Sequence, residues 1–229
     1  MCYYYIYIYI FYSGKTTLVN NILKNWKRLV PDSPNVWQFI LMFEHNQPLY
    51  DDMIKNVQCQ FPNCKVKCLW SWDEKTMSDP NLFKSESCSG DGVGGGGQTV
   101  LIIDDSLHKL NKLETLAAIC RGRSHHENIS VFIIFQDITS CGSQFRSALK
   151  NMHYFIVTQG SAELLQYLQF KLFMYMRGFL HTAFDMVSEL TESKYPYIMI
   201  NNRPSCPKNR SVTTGLVEGG DKVYMLAPI

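Results

Sequence analysis

Two short stretches carry residue types that handle phosphate. The first is Ser13-Gly14-Lys15-Thr16-Thr17. Gly14, Lys15 and Thr16 fill the last three positions of the phosphate-loop pattern G-x-x-x-x-G-K-[ST]. Glycine lets backbone approach the phosphates with no Cβ in the way. The lysine reaches the β- and γ-phosphates, and the threonine hydroxyl can ligate Mg²⁺. The second stretch is "TVLIIDD", an apolar run ending in Asp104 and Asp105. A buried parallel strand of this kind delivers acids to its C-terminal edge, where α/β sites lie. Asp104 there holds Mg²⁺ through water, and Asp105 orients or deprotonates an attacking water. Taken alone, the run also fits a strand ending in a solvated acidic turn. Together with "SGKTT" before a helix, it reads as the other half of a nucleotide site.

Gln136 ends a further apolar run, "ISVFIIFQ". A polar tip on the strand beside the acid strand can sense a γ-phosphate or position water; a glutamine in a strand-end turn is the plainer reading. The start of the loop departs from its pattern. Tyr9 stands where the first glycine belongs, and Tyr12 where many such loops carry another. Tyrosine does not take positive φ cheaply, and its ring crowds a pyrophosphate.

The elements that must position these residues follow from periodicity. Leu18, Val19, Ile22, Leu23, Trp26 and Leu29 recur at helical steps, and Lys24, Lys27 and Arg28 lie near that helix's end. The loop thus opens directly into a helix N-terminus, a natural anion site. "VWQFILMF" reads as a buried strand, and "EHNQPLYDDMIKNV" as a turn and a helix. Residues 59–98 read as an irregular insertion ending in the flexible "SGDGVGGGG". After the acid strand come a helix over Leu107 to Ile119, the polar "CRGRSHHEN", and the strand ending at Gln136. Then follow a short helix "SQFRSALKNM", a strand "HYFIVTQ", and two amphipathic helices, "SAELLQYLQFKLF" and "FLHTAFDMVSEL". "YPYIMINN" reads as the last strand, before a polar tail with Pro204 and Pro207. Alternating strands and helices predict one α/β domain over 1–229, a P-loop NTPase fold with a mainly parallel sheet covered on both faces.

Composition bounds the partners. A net charge of +2 over 229 residues selects no nucleic acid by global field, so any DNA contact comes from a local patch or a ring of subunits. The longest apolar run is too short to span a bilayer and lacks the marks of a signal peptide. The expectation is an intracellular protein, in nucleus or cytoplasm, neither secreted nor membrane-bound. Its eight cysteines are then reduced thiols. Cys59, Cys64 and Cys68 cluster, but more loosely than the paired spacing of zinc sites, and reduced thiols are the favoured reading.

"SGKTTLVNNIL", "QPLYDDM", "TVLIIDD", "RGRSHHENISVFIIFQD", "SALKNMHYFIVTQ" and "YPYIMINNRPSCP" occur in this order. The series resembles viral-type genome-packaging ATPases of the FtsK/HerA class. The resemblance is strongest to the packaging ATPases of Maverick/Polinton elements, with poxvirus and adomavirus-like relatives. It covers nearly the whole chain, and its most specific part is Arg121 to Asp137. It implies ATP and Mg²⁺ as cofactors, and hydrolysis coupled to pushing double-stranded DNA into a capsid. It also implies a homo-oligomeric ring with ATP between neighbours, and capsid proteins as partners. Carried over, Ser13 to Thr17 are the loop, Asp104 and Asp105 the acid pair, and Gln136 the sensor. Arg121 or Arg123 is then the finger reaching a neighbour's γ-phosphate, although a surface loop accounts for either arginine equally well. His125 and His126 match the family without an assigned role. A small-molecule kinase is a competing P-loop reading, but the arginine-rich substrate pocket it needs is not visible in the chain.

The complete glycine-rich loop of that family is missing here, and the glycine run at Gly90 to Gly97 is not expected from it. Tyrosine and isoleucine alternate over "YIYIYI" as a TA dinucleotide repeat encodes them. Residues 1–12 are therefore expected to be an aberrant N-terminus, from a misplaced exon start or a decayed element copy. Alternatively, Tyr3 to Phe11 serve as the first strand, since both residue types favour strands. On either view the fold survives and nucleotide affinity suffers. A non-enzymatic remnant that assembles with intact copies is the corresponding alternative function.

Overall fold

Apolar runs without a polar face need cover on both sides, and the fold supplies it. A computed structural model describes residues 6–8, 15–29, 36–43, 48–70, 74–79, 81–83, 97–104, 114–123, 127–134, 152–158, 179–190, 196–207, 211–215 and 224–226. One sheet holds β3 (Lys65–Leu69), β2 (Val36–Phe43), β4 (Gln98–Asp104) and β5 (Ile129–Ile134) in that spatial order, all parallel. A second sheet runs β1 (Ile6–Ile8), β6 (Tyr154–Thr158), β7 (Tyr197–Asn201), β8 (Val212–Thr214) and β9 (Tyr224–Leu226). There β1 pairs with β6 in parallel, and the remaining neighbours are antiparallel. β1 also runs beside β5, so the sheets meet edge to edge.

The strands alternate between two buried clusters. On one face Phe39, Leu41, Val100, Ile102 and Phe132 pack with α1 (Lys15–Lys24), α2 (Trp26–Leu29) and α3 (Pro48–Gln60). On the other, Leu101, Ile103, Val131, Ile133 and Phe155 meet α4 (Glu74–Ser78), α5 (Glu114–Ala118) and α6 (Phe179–Leu190). This is the α/β fold expected for a P-loop NTPase: a mainly parallel sheet between helical layers.

Trp26 shows how tightly the first layer is set. It is 1% exposed and meets Phe39 edge-on at 6.4 Å and Phe132 at 5.7 Å. Trp26→Ala is expected to cost about 3–5 kcal/mol, because the sheet beneath cannot collapse into the space. Urea unfolding followed by circular dichroism measures this.

Buried amides fix the register of the parallel strands. Gln38 donates to Thr99 Oγ1 at 2.9 Å, and Gln98 donates to Ser130 Oγ at 2.5 Å. Both bonds lie near the N-terminal ends of β2, β4 and β5, so each strand enters at one defined height. Through that register Phe43 and Ile134 flank Asp104 at the opposite end.

Several elements differ from the sequence reading. The stretch 59–98, expected to be irregular, contains β3 and α4. "KVKCL" alternates lysine with smaller apolar residues, as a sheet edge that must not recruit a stranger does, but the run is too short for a clear period. "YPYIMINN" is not the last strand: β8 and β9 follow it, each three residues long and too brief to show periodicity. The helix expected over Leu107 to Ile119 is described only from Glu114. It widens into a π-helical turn at Ile119–Arg123. The helices expected in "SQFRSALKNM" and "SAELLQYLQFKLF", and the glycine run before Gly97, lie outside the described residues.

Candidate functional site

At the C-terminal edge of the parallel sheet two of the candidate residues, Thr16 and Asp104, meet. β1 ends at Ile8, and α1 begins at Lys15, so the candidate loop is the link between strand and helix. Lys15, Thr16 and Thr17 form the first turn of α1 and are half-buried. That turn contains no acidic side chain of its own. α1 is held in place from α3: Asn56 donates to Asn20 Oδ1 at 2.8 Å, and Gln60 donates to the Lys24 carbonyl.

Asp104 closes β4 and is 2% exposed. Thr16 Oγ1 donates to its Oδ2 at 2.7 Å, joining residues 88 positions apart. The sequence reading had assigned both to one metal site, and the fold brings them into direct contact. A hydroxyl whose proton goes to a carboxylate keeps its lone pairs for other use. One hydroxyl and one carboxylate are hard oxygen donors, and Mg²⁺ is commonly bound through one or two carboxylates plus waters and substrate phosphates.

The sequence reading had not singled out Tyr50. It lies in the first turn of α3, and its hydroxyl donates to the same Asp104 Oδ2 at 3.0 Å. Its ring stacks on Phe43 at 3.7 Å and 12°. Only register could have revealed it: Phe43 ends β2 directly beside Asp104, and α3 starts just beyond.

Ser13, Gly14, Asp105 and Gln136 lie outside the described residues. Of the elements flanking them, α1 begins at Lys15, β4 ends at Asp104, and β5 ends at Ile134 beside Asp104. β5 therefore leads toward Gln136 from between β4 and β1. Arg121 and Arg123 lie in the π-helical turn, which leads into the start of β5. Ile129 there pairs with Thr99, at the far end of β4 from Asp104. His125 and His126 are outside the described residues.

Cys59 is exposed on α3, while Cys64 and Cys68 are half-buried at the β3 edge. Burial pushes the Cys64 thiol up to about 11, against a weaker opposing hydrogen bond from the Phe39 backbone. Cys68 is also raised, by burial first and then by the Asp51 charge. The thiolate is the reactive form. Iodoacetamide at mildly alkaline pH is therefore expected to label Cys59 before Cys64, as read by peptide mass spectrometry. Among the described residues, no helix is long and apolar enough to cross a membrane.

No protein-family model and no curated protein sequence matches the chain. Solved structures do resemble it. The genome packaging NTPase B204 from Sulfolobus turreted icosahedral virus 2, in complex with ATP-gammaS, superposes with a TM-score of 0.55 at 14% identity over 100% of both chains. B204 from Sulfolobus turreted icosahedral virus, described as a DNA-packaging ATPase, gives 0.54 at 10% identity, over 98% of this chain and 97% of the other. The cytoplasmic domain of the Thermomonospora curvata type VII secretion ATPase EccC gives 0.50 at 12% identity, over 97% of this chain and 26% of that one. At these identities the likeness establishes the fold.

Proposed function

We propose that the chain is the ATPase subunit of a viral-type DNA-packaging motor of the FtsK/HerA class, of the Maverick/Polinton kind. It uses Mg²⁺-ATP hydrolysis to drive double-stranded DNA into a capsid. The observation that carries this reading is the 2.7 Å hydrogen bond from Thr16 to Asp104. It joins the threonine after the loop lysine to the acid that ends the neighbouring apolar strand. The likeness to packaging NTPases crystallised with ATP-gammaS, AMP and AMPPCP supports the nucleotide.

In this reading Lys15 neutralises charge on the β- and γ-phosphates, and the α1 N-terminus receives phosphate oxygens. Thr16 and Asp104 would hold Mg²⁺, which would supply neutralisation of phosphate charge there. Asp105 takes the proton of the attacking water, and Gln136 senses the γ-phosphate. Arg121 or Arg123 acts on a neighbouring subunit. That role belongs to a homo-oligomeric ring in which each site lies between two subunits. Capsid proteins are the remaining partners.

Tyr9 and Tyr12 favour a second reading. In it the domain folds and joins a ring of intact copies without turning over ATP. Hydrolysis stimulated by double-stranded DNA separates the two, since the remnant has none.

Asp104→Asn is expected to lower Mg²⁺-dependent turnover by about 10²–10³-fold, the range for losing one preorganised electrostatic group. The amide oxygen can still accept from Thr16 and Tyr50, so the variant is expected to fold and the loss to be read in turnover. Turnover at parental level in this variant would remove Asp104 from the site.

A further inference from the structure

Asp104 has two hydroxyl donors on one oxygen, and the loop motif explains only one of them. Thr16 comes from the first turn of α1; Tyr50 comes from α3, which packs beside α1 on the same face of the sheet. Tyr50 is 2% exposed, so its hydroxyl is held in a dry setting where a charge-assisted bond is strong. Its ring is fixed by the parallel stack on Phe43, itself 2% exposed and paired in register with Asp104. Trp70, just past β3, tilts against the other partner of that stack, at 5.9 Å from Phe43. β2, β3 and α3 thus meet in one aromatic support behind a single carboxylate.

From this geometry we infer that Tyr50 is a positioning residue for metal binding. Its hydroxyl sets the orientation of the Asp104 carboxylate, so that Asp104 and Thr16 face a Mg²⁺-nucleotide together. Groups that orient a metal-binding carboxylate from behind matter about 10–100-fold to metal affinity. The role assigned to Tyr50 runs through its hydrogen bond to Asp104. The inference rests on the nucleotide reading above.

The test is Mn²⁺ uptake in the presence of ADP, read from the loss of the free-ion electron paramagnetic resonance signal, on the full chain and on Tyr50→Phe. The variant keeps the ring and its stack and removes only the hydroxyl. The expected result is about 10-fold weaker Mn²⁺ binding, with metal-free ADP affinity unchanged. A purely structural role would leave the metal titration alone or weaken ADP equally. Phe43→Leu, which keeps the hydroxyl but removes the plate that sets its angle, is expected to fall between parent and Tyr50→Phe. It is also the measurement to rely on if Tyr50→Phe does not fold. Parental Mn²⁺ affinity in the folded variant overturns the inference alone. A parent chain that takes up no Mn²⁺ with ADP overturns the functional reading and this inference with it.

Discussion

Lys15→Ala is expected to cut nucleotide turnover far more than it changes stability: this is the largest separation of activity from stability expected in the chain. The lysine occupies the first position of α1, at the positive end of the helix dipole, with no acid in the first turn. A cation there is unfavourable for the helix, by about 0.3–1 kcal/mol. Alanine also has the best helix propensity. These two helix effects favour alanine and offset loss of the contact Lys15 makes in the fold, so the unfolding midpoint should change little. Turnover should fall by about 10²–10³-fold or more, since charge on the transferring phosphoryl group loses its clamp. Thermal unfolding and phosphate release on one preparation supply both numbers. A fall in stability with turnover intact would reverse the roles and make Lys15 a scaffold residue.

The second large effect runs in the opposite direction. Replacing Tyr9 and Tyr12 together by glycine is expected to tighten nucleotide binding by at least about 10-fold. Glycine at these places lets the loop backbone turn its N–H groups toward phosphate. Each such bond to a charged acceptor is worth about 1.5–3 kcal/mol, and about 1.4 kcal/mol is a factor of ten. Titration of a fluorescent ATP analogue reads the change directly. The same substitutions in Lys15→Ala should recover less, because the phosphates are no longer held from the helix side. No tightening in the otherwise parental chain contradicts the view that the tyrosines impair the loop.

The residues of the Thr16–Asp104 contact are legible in the sequence where residue type and place coincide. Lys15 and Thr16 announce themselves by following glycine and opening an apolar-periodic helix, and Asp104 by ending an all-apolar strand. Their contact is a matter of topology: parallel strands ending at one edge bring residues 88 apart to 2.7 Å. Tyr50 was not legible as a site residue, since a tyrosine in a helix's first turn has no motif. Its role emerges only when Gln38–Thr99 and Gln98–Ser130 fix the register that sets Phe43 beside Asp104. β3 was missed because lysines and cysteines on a short sheet edge blur the period. β8 and β9 were missed because three-residue strands have almost none. The helices and buried strands of the core read well because fully apolar runs and three-to-four-residue spacing leave few alternatives.

That Lys15, Thr16 and Asp104 form one ATP site in the service of DNA movement is tested most directly by ATP hydrolysis with and without linear double-stranded DNA. The chain with glycine at positions 9 and 12 is compared with the same chain carrying Lys15→Ala. The expected result is Mg²⁺-dependent hydrolysis that DNA stimulates and that Lys15→Ala removes. Hydrolysis that ignores DNA and survives Lys15→Ala, or none even with the glycines in place, would contradict it.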